Sequence, residues 1–296
     1  MPASTPPPPA VAVVGSVNID LVVTVDRHAL PGETILASAY AETVGGKGYN
    51  QAVAAAKHVQ AHLLGCVGDD AFGTRAVEDA RRRGVKVDEV TRSDVPTGRA
   101  LIEVNHGGEN SIVVAPLANH AVTPEHVTAA MDRIRPAAVL AQLEIPFDAV
   151  AAAARWCEAN GARFMLNPSP VAELPSGIID LADPLIVNET EAAYLLGEPP
   201  SADRVDAADH AAAAKLRRIA RSVVITVGAR GATFAADAEH GHIEAIPLQA
   251  VDTTGAGDEF AGTLLASLAS GDSFTRAVDR ANTAAATLVV TPRSER

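Results

Sequence analysis

Apolar residues along the chain fall into two kinds of stretch that alternate. Short continuous apolar runs, typical of strands buried on both faces, occur at Val11–Val14, Leu63–Val67, Val139–Gln142, Arg163–Leu166, Leu185–Val187 and Val223–Val227. Apolar positions at helical spacing predict helices at Asn50–Val59, Phe72–Arg83, Phe147–Asn160, Glu189–Leu196, Ala207–Ala220, Gly257–Ser270 and Phe274–Val289. This alternation predicts an α/β fold with a central, mostly parallel sheet and helices on both faces.

Other segments do not follow the alternation. Strand patterns come in close succession at Leu21–Val25, Ile35–Thr43, Arg99–Val104 and Ser111–Ala115, and the last two flank a Gly-Gly turn typical of a hairpin. We expect a small β element beside the main sheet, built from about 21–44 and 98–116. Ala232–Ala236 and His242–Ile246 predict a further antiparallel pair.

No linker rich in Pro, Gly or Ser divides the chain, so we expect one domain over residues 11–296. Residues 1–10 are rich in proline and lack the charged and apolar regions of a signal peptide, which favours a short disordered leader.

The formal net charge of −12 argues against a nucleic acid or a membrane surface as partner, because both are themselves negatively charged. Two distant cysteines, Cys66 and Cys157, suggest neither a disulfide framework nor a structural zinc site. No apolar run reaches the length of a membrane span. We therefore expect a cytoplasmic protein.

The sharpest motif is Asp252-Thr253-Thr254-Gly255-Ala256-Gly257-Asp258 at the start of an apolar helix. Small residues at 255–257 leave backbone N–H groups uncovered at a helix N-terminus, which favours an anion. A carboxylate at 258 would repel a phosphate, but it can accept the proton of a hydroxyl that attacks phosphorus. The alternative is an ordinary Gly-rich turn with an aspartate favoured by the helix dipole.

Two more polar turns follow apolar runs. Gly45-Gly46-Lys47-Gly48-Tyr49-Asn50 is not a Walker A loop; its glycines allow a close backbone approach to a small ligand, and Lys47 and Asn50 supply donors. In Gly15–Asp20, Asn18 and Asp20 alternate by two, so their side chains point to one side and suit vicinal sugar hydroxyls. A flexible turn and a capped turn are the respective alternatives.

Taken together, these motifs resemble the ribokinase (PfkB) family of carbohydrate kinases. Nine stretches carry the resemblance in the family's order: GSVNID (15–20), PGET (31–34), GGKGYNQA (45–52), GCVGDDAFG (65–73), QLEIP (142–146), NPSP (167–170), NETEA (188–192), TVGARG (226–231) and DTTGAGD (252–258). The resemblance implies a ribokinase-like fold in which the small β element is a lid over the sugar.

The resemblance implies ATP-dependent phosphorylation of D-ribose at O5, with Asp258 as general base. The backbone N–H groups of Gly255, Ala256 and Gly257 would hold the transferring phosphoryl group. The residues that would bind the sugar are Asn18, Asp20, Gly46, Lys47, Asn50, Glu144 and Asp258.

The resemblance also implies an ATP site with Mg²⁺. The ATP-side residues would be Asn188, Thr226, Gly228, Gly231, Gly257 and Asn282, and Glu191 would act on Mg²⁺ through water. Without the family, Asn188 and Glu191 indicate a helix cap with a capping box, and Asn282 an exposed helix residue. Asp252 and Thr254 stand where the family binds K⁺, but residues 291–296 do not match the C-terminal loop that completes that site.

The resemblance further implies a homodimer formed through the lid, although the charged Arg99 and Glu103 lie on its outer face. Two alternatives to a ribose kinase stay open. Tyr49, where the family has a small residue, would suit a nucleoside, deoxyribose or hexose kinase of the same family. The C-terminal departure would suit a non-catalytic regulator that binds a sugar or a nucleotide.

Overall fold

The computed structural model describes residues 9–174, 177–199 and 206–291. Within them lie thirteen strands: β1 (Ala10–Val14), β2 (Asn18–Val25), β3 (Ala39–Gly45), β4 (Gln60–Gly68), β5 (Val90–Ser93), β6 (Gly98–Asn105), β7 (Asn110–Ala115), β8 (Ala138–Ala141), β9 (Arg163–Leu166), β10 (Leu185–Asn188), β11 (Val223–Thr226), β12 (Gly231–Ala235) and β13 (His240–Glu244). The same residues form eight α-helices: α1 (Lys47–Ala56), α2 (Ala71–Arg82), α3 (Pro124–Ile134), α4 (Phe147–Asn160), α5 (Glu189–Leu196), α6 (Asp206–Leu216), α7 (Ala256–Ala269) and α8 (Phe274–Val290).

The main sheet of the described chain has the order β13-β12-β11-β10-β9-β8-β1-β4-β5. All neighbouring strands from β11 to β5 are parallel, and β12 and β13 continue the sheet as an antiparallel pair. The mostly parallel sheet predicted from the alternation is confirmed.

Helices cover both faces of this sheet, as predicted. Alternate residues of β1 show the division: Val11 and Val13 join a core with α1, α2, α7 and α8, whereas Ala12 and Val14 join a core with α3 to α6. Both faces of the central strands are therefore buried, which explains why their sequences are continuous apolar runs.

A second sheet, with the order β3-β2-β6-β7, forms the predicted small β element, which we call the lid. In it β2 pairs antiparallel with β3 and parallel with β6, and β6 pairs antiparallel with β7. Strand β2 starts at Asn18, three residues before the predicted Leu21, so Asn18 and Asp20 lie on a lid strand.

Several boundaries differ from the sequence prediction. Helix α3 and strand β5 were not predicted, although Thr123 caps α3 by accepting the N–H of His126 and Pro124 occupies its first turn. Helix α1 starts at Lys47 instead of Asn50, directly after Gly46 with its φ of 93°. Residues 1–8 of the predicted leader lie outside the described residues, and Ala10 already belongs to β1. None of the described helices is both long and apolar enough to cross a membrane.

Candidate active site

The N-terminus of α7 forms a turn with free backbone donors. Gly255 precedes the helix with a φ of 81°, a conformation that favours glycine. The N–H groups of Gly255, Gly257 and Asp258 have no hydrogen-bond partner among the described residues. A methyl group at Gly257 would meet no atom within 4 Å, so the space in front of the turn is open. The turn can accept an anion there, as the motif predicted.

One of the three predicted donors is already occupied. The N–H of Ala256 donates to the carbonyl oxygen of Thr253 at 3.2 Å, within the turn itself. The prediction that Ala256 offers its N–H to a ligand therefore disagrees with this structure. The turn leaves the neighbouring N–H groups without partners but uses this one for its own hydrogen bond.

The carboxylate of Asp258 lies in the first turn of α7 with only 8% of the residue exposed. Asn50 Nδ2 donates to Asp258 Oδ2 at 3.0 Å, and Gln51 Nε2 donates to Asp258 Oδ1 at 2.9 Å. Both donors belong to α1, which packs against α7. The carboxylate is thus fixed from one side, and the other side is left for a hydroxyl group. The sequence prediction missed Gln51, although it lies inside the quoted GGKGYNQA motif.

Lys47 and Glu144 meet at the start of α1. The backbone N–H of Lys47 donates to Glu144 Oε2 at 3.2 Å, and the buried Ser16 hydroxyl donates to the same oxygen at 2.5 Å. The ammonium group of Lys47 makes no hydrogen bond or ion pair among the described residues. It remains able to donate to a ligand.

The charge of this lysine depends on its neighbours. Burial alone would lower the pKa of the Lys47 ammonium, but the negative charge of nearby carboxylates outweighs burial, and the net pKa is raised. These carboxylates belong to Asp258, Glu144 and Glu191. The site therefore holds one firmly cationic group among acids.

Asn18 lies at the root of the lid and is almost fully buried. Its Oδ1 accepts a hydrogen bond from Asn119 Nδ2 at 2.7 Å, and Asn119 Oδ1 accepts the N–H of Val17 at 2.8 Å. A methyl group at Gly98, the partner of Asn18 in β6, would lie 2.3 Å from both amides. The Nδ2 of Asn18 has no partner among the described residues and can donate to a ligand.

Packing accounts for the glycines of the GGKG turn. A methyl group at Gly45 would lie 2.5 Å from the carboxylate oxygens of Asp20. Methyl groups at Gly46 and Gly48 would meet the backbone of residues 15–18 at 2.4 to 3.2 Å. These glycines let α1 approach the chain after β1; the prediction had assigned this closeness to a ligand.

A small cavity of about 140 Å³ lies in front of α7. Besides the unpredicted Asn167, it gathers predicted site residues from five elements of the structure: Lys47 of α1, Asn188 of β10, Glu191 of α5, Thr226 of β11, and Gly255, Gly257 and Asp258 at the start of α7. Its lining comes largely from the carboxyl ends of parallel strands β9, β10 and β11, where ligands of open α/β sheets bind.

Asn188 and Glu191 form the capping box that the sequence also suggested. Asn188 Oδ1 accepts the N–H of Glu191 at 2.8 Å, and Glu191 Oε2 accepts the N–H of Asn188 at 2.9 Å. Glu191 Oε1 has no hydrogen bond among the described residues. One carboxylate oxygen therefore caps α5, and the other faces the cavity.

Three predicted ATP-side residues lie outside this cavity. Gly228 has a φ of 56°, a conformation that favours glycine. A methyl group at Gly231 would lie 1.9 Å from the carbonyl oxygen of Ile243, so glycine is required there for packing. Asn282 Nδ2 donates to the carbonyl oxygen of Glu244 at 2.8 Å and joins α8 to β13. Each has a local structural role that the motif did not indicate.

A larger cavity of about 750 Å³ shares Gly255 with the small one, and Asp20, Asn50, Tyr49 and Thr254 contribute to its walls. Tyr49 is 4% exposed, and its hydroxyl donates to Asp79 of α2. Its ring is therefore held in the wall and is not free to stack on a ligand. The N–H of Thr254 donates to Asp252 Oδ1 at 2.8 Å, which orders the loop before α7.

The arrangement supports transfer of a phosphoryl group to a hydroxyl group. Asp258 can take a proton, the turn at 255–258 can bind an anion, and Lys47 can donate to the transferring oxygens. The amides of Asn18 and Asn50 and the carboxylates of Asp20 and Glu144 add the mixed donors and acceptors that polyols require.

Known proteins share this architecture. The chain is 40% identical over 264 residues to a bifunctional ribokinase/ribose-5-phosphate isomerase A of Fructilactobacillus sanfranciscensis, covering 87% of the chain but only 48% of that longer relative. It is 36% identical to a ribokinase of Staphylococcus aureus, covering 94% and 93% of the two chains. The Arabidopsis thaliana ribokinase solved with ribose and ATP superposes with a TM-score of 0.85 at 30% identity, covering 96% and 93%.

A family model described as the pfkB family carbohydrate kinase matches residues 9–294. This match spans both sheets and every residue of the candidate site. The chain therefore belongs to the pfkB family of carbohydrate kinases.

Proposed function

We propose that the chain transfers the γ-phosphoryl group of ATP to the O5 hydroxyl of D-ribose, with Asp258 as the general base. The observation that carries this proposal is the buried Asp258 carboxylate, fixed by two amides beside unpartnered N–H groups of α7. The ribokinase relatives, similar over more than 90% of the chain, support ribose as the acceptor.

In the proposed step, the O5 oxygen attacks the γ-phosphorus while its proton passes to Asp258. A bond forms between O5 and the γ-phosphorus, the bond from that phosphorus to the bridging oxygen breaks, and ADP leaves with that oxygen. The N–H groups of Gly255 and Gly257 and the Lys47 ammonium would stabilise the charge on the transferring oxygens, a contribution of about 3 kcal/mol per well-placed donor.

The acceptor would lie between the lid root and α1. Asn18 and Asp20 would bind neighbouring sugar hydroxyls from β2, and Asn50 and Lys47 would donate from α1. Glu144, held by Ser16, would accept from a hydroxyl. Gly46 would let the sugar approach the backbone, in addition to its packing role.

The ATP side of the proposal rests on the small cavity. Asn188, Thr226 and Gly257 would contact phosphates there, and Gly228, Gly231 and Asn282 would lie along the nucleotide beyond it.

Among the described residues no three His, Cys, Asp or Glu side chains are grouped to hold a metal. The unbonded Glu191 Oε1 fits a hydrated divalent ion that arrives with the nucleotide, and we propose Mg²⁺, which neutralises phosphate charge when bound. Asp252 and Thr254 are our candidates for a K⁺ site.

We also propose that two copies associate through the lid. Leu101 and Val113 are directly opposite in β6 and β7 and are 51% and 62% exposed. Such an apolar row on a sheet face is a candidate contact surface.

Both cysteines are free and buried, which supports action in a reducing cytoplasm.

An acceptor panel tests the function. ATP consumption is measured with ribose, deoxyribose, a nucleoside and a hexose, and kcat/KM should be highest for ribose. Asp258→Asn keeps the shape of the side chain but cannot take the proton, so kcat should fall at least 100-fold while ribose still binds. Preference for another acceptor would refute the ribose assignment. Wild-type kcat in Asp258→Asn would refute the base.

A further inference from the structure

A series of hydrogen-bonded amide side chains leads to the Asp258 carboxylate. Gln51 in α1 is fully buried, and its Nε2 lies 2.9 Å from Asp258 Oδ1 and 3.2 Å from Asn167 Oδ1. Its Oε1 accepts a hydrogen bond from Gln142 Nε2 at 2.5 Å. Both hydrogens and the oxygen of the Gln51 amide are therefore engaged by three side chains: one from α7, one just after β8 and one just after β9.

The orientation of the Gln51 amide follows from a backbone group at the end of this series. The carbonyl oxygen of Ile186 can only accept, and Asn167 Nδ2 donates to it at 3.0 Å. Asn167 must then turn its Oδ1 towards Gln51, and only an N–H group can face that oxygen. The same NH₂ group of Gln51 faces Asp258.

The distance between Gln51 and Asp258 is also fixed. Helices α1 and α7 touch at their backbones, where a methyl group at Gly262 would lie 2.3 Å from the carbonyl oxygen of Gln51. This close contact keeps the backbones of the two helices near each other, so the Gln51 side chain can reach the carboxylate of Asp258.

One atom in this series of hydrogen-bonded amides lowers the stability of the fold. Gln142 Oε1 is buried without a hydrogen-bond partner among the described residues, and an unsatisfied buried polar atom destabilises a fold. An apolar side chain of similar shape would avoid this cost. The hydrogen bond that Gln142 Nε2 donates to Gln51 therefore explains the amide at position 142 better than packing does.

We propose that Gln51 is a positioning residue for the base, and that Gln142 and Asn167 hold its amide in the orientation that donates to Asp258. The inference rests on the proposed role of Asp258. With Asn50 on Oδ2 and Gln51 on Oδ1, the carboxylate cannot rotate, and its remaining lone pairs face the cavity.

The test compares Gln51→Met with wild type. Methionine keeps the length and the helix preference of glutamine but lacks the donor. We expect kcat to fall 10- to 100-fold with the ribose KM changed less than threefold. A purely structural role would lower the thermal midpoint but leave the kcat of the folded protein unchanged.

Charged groups around the carboxylate stay constant in this comparison. They are Lys47 of α1, Glu191 of α5, Glu144 after β8, and the Lys57–Glu259 pair, in which Lys57 Nζ lies 2.6 Å from Glu259 Oε1. Gln60→Met, at an exposed glutamine at the start of β4, is the matched control and should leave kcat and the ribose KM unchanged.

A second variant decides the matter if Gln51→Met does not fold. Gln142→Met removes the donor that holds Gln51 Oε1, and it should lower kcat in the same way but by less, again with the ribose KM changed less than threefold. Wild-type kcat in both variants, or in Gln142→Met alone where only that protein folds, overturns the inference. The proposed function fails separately, since wild-type kcat in Asp258→Asn removes the base itself.

Discussion

At the scale of single residues, glycines carry two different tasks in this site. Gly48 is a packing glycine, because its Cα faces the backbone of Gly15 and Ser16, and a methyl group there would lie 2.4 Å from the Gly15 carbonyl carbon. Gly257 is open, with no atom within 4 Å of such a methyl group and no positive φ. From the motifs alone, both glycines were explained by a ligand: Gly48 by a close backbone approach and Gly257 by uncovered N–H groups.

Alanine substitutions should separate the two tasks. Gly48→Ala should destabilise the fold by about 3 kcal/mol, because neither backbone can move away cheaply. Gly257→Ala should keep its thermal midpoint within a degree or two but lower kcat about tenfold, because the methyl group crowds the donors of the turn. Thermal unfolding and steady-state kinetics on both proteins provide the check. A stable Gly48→Ala, or a fully active Gly257→Ala, would contradict the assignment.

At the scale of elements, α1 connects the parts of the site. Its first turn supplies Lys47 and Asn50, its buried side supplies Gln51, and Tyr49 fastens it to α2 through Asp79. Asp79 also accepts from Arg82 at 2.6 Å and from Arg83 at 2.8 Å. Burial first, and then the hydrogen bond to Asp79, raise the pKa of the Tyr49 phenol.

Tyr49→Phe should lower stability by about 1 kcal/mol near pH 8. A phenol with a raised folded pKa stabilises the fold fully below the unfolded pKa of about 10, and this contribution is lost as the pH rises towards the folded pKa. The difference in thermal midpoint between wild type and Tyr49→Phe should therefore shrink from pH 9 to pH 11. Tyr40→Phe, at an exposed tyrosine, should change stability by less than about 0.5 kcal/mol. A difference that grows with pH would count against the Tyr49–Asp79 bond.

Elements were predictable from the sequence to the extent that their signals are local. The buried strands were found because residues covered on both faces form apolar runs. Helix α3 was missed although Thr123-Pro124 is a helix start. The contact between Gln51 and Asp258 joins residues 207 positions apart. The periodicity of the sequence cannot reveal a contact between residues so far apart. Only the resemblance to the ribokinase family placed the two motifs in one site.

At the scale of the whole molecule, the sheet order explains where the site lies. Strands β1, β8, β9, β10 and β11 are parallel, and a polar residue of the site lies at or just after the carboxyl end of each: Ser16, Gln142, Asn167, Asn188 and Thr226. Helix α7 then brings Asp258 to the same edge.

The proposed dimer also belongs to this scale. Wild type should have about twice the chain mass of 30.4 kDa in light scattering after size exclusion, and Leu101→Lys should reduce it to one chain, because a lysine cannot be buried unpaired between two lids. Tyr194→Lys, on α5 away from the lid, should leave the mass unchanged. A monomeric wild type would refute the lid interface.

The clasp formed by Asn18, Gly98 and Asn119 has a practical meaning for redesign. The hydrogen bond from Asn119 to Asn18 anchors the first paired residues of β2 and β6, which are Asn18 and Gly98. The later pairs, such as Asp20 with Ala100 and Val22 with Ile102, lie farther along the lid. Exchanging the side chains at 100 and 102 would change the part of the lid next to Asp20 and Val22, while the contact of Asn18 with Asn119 stays in place. A library aimed at new acceptors should vary those two positions and keep the clasp intact.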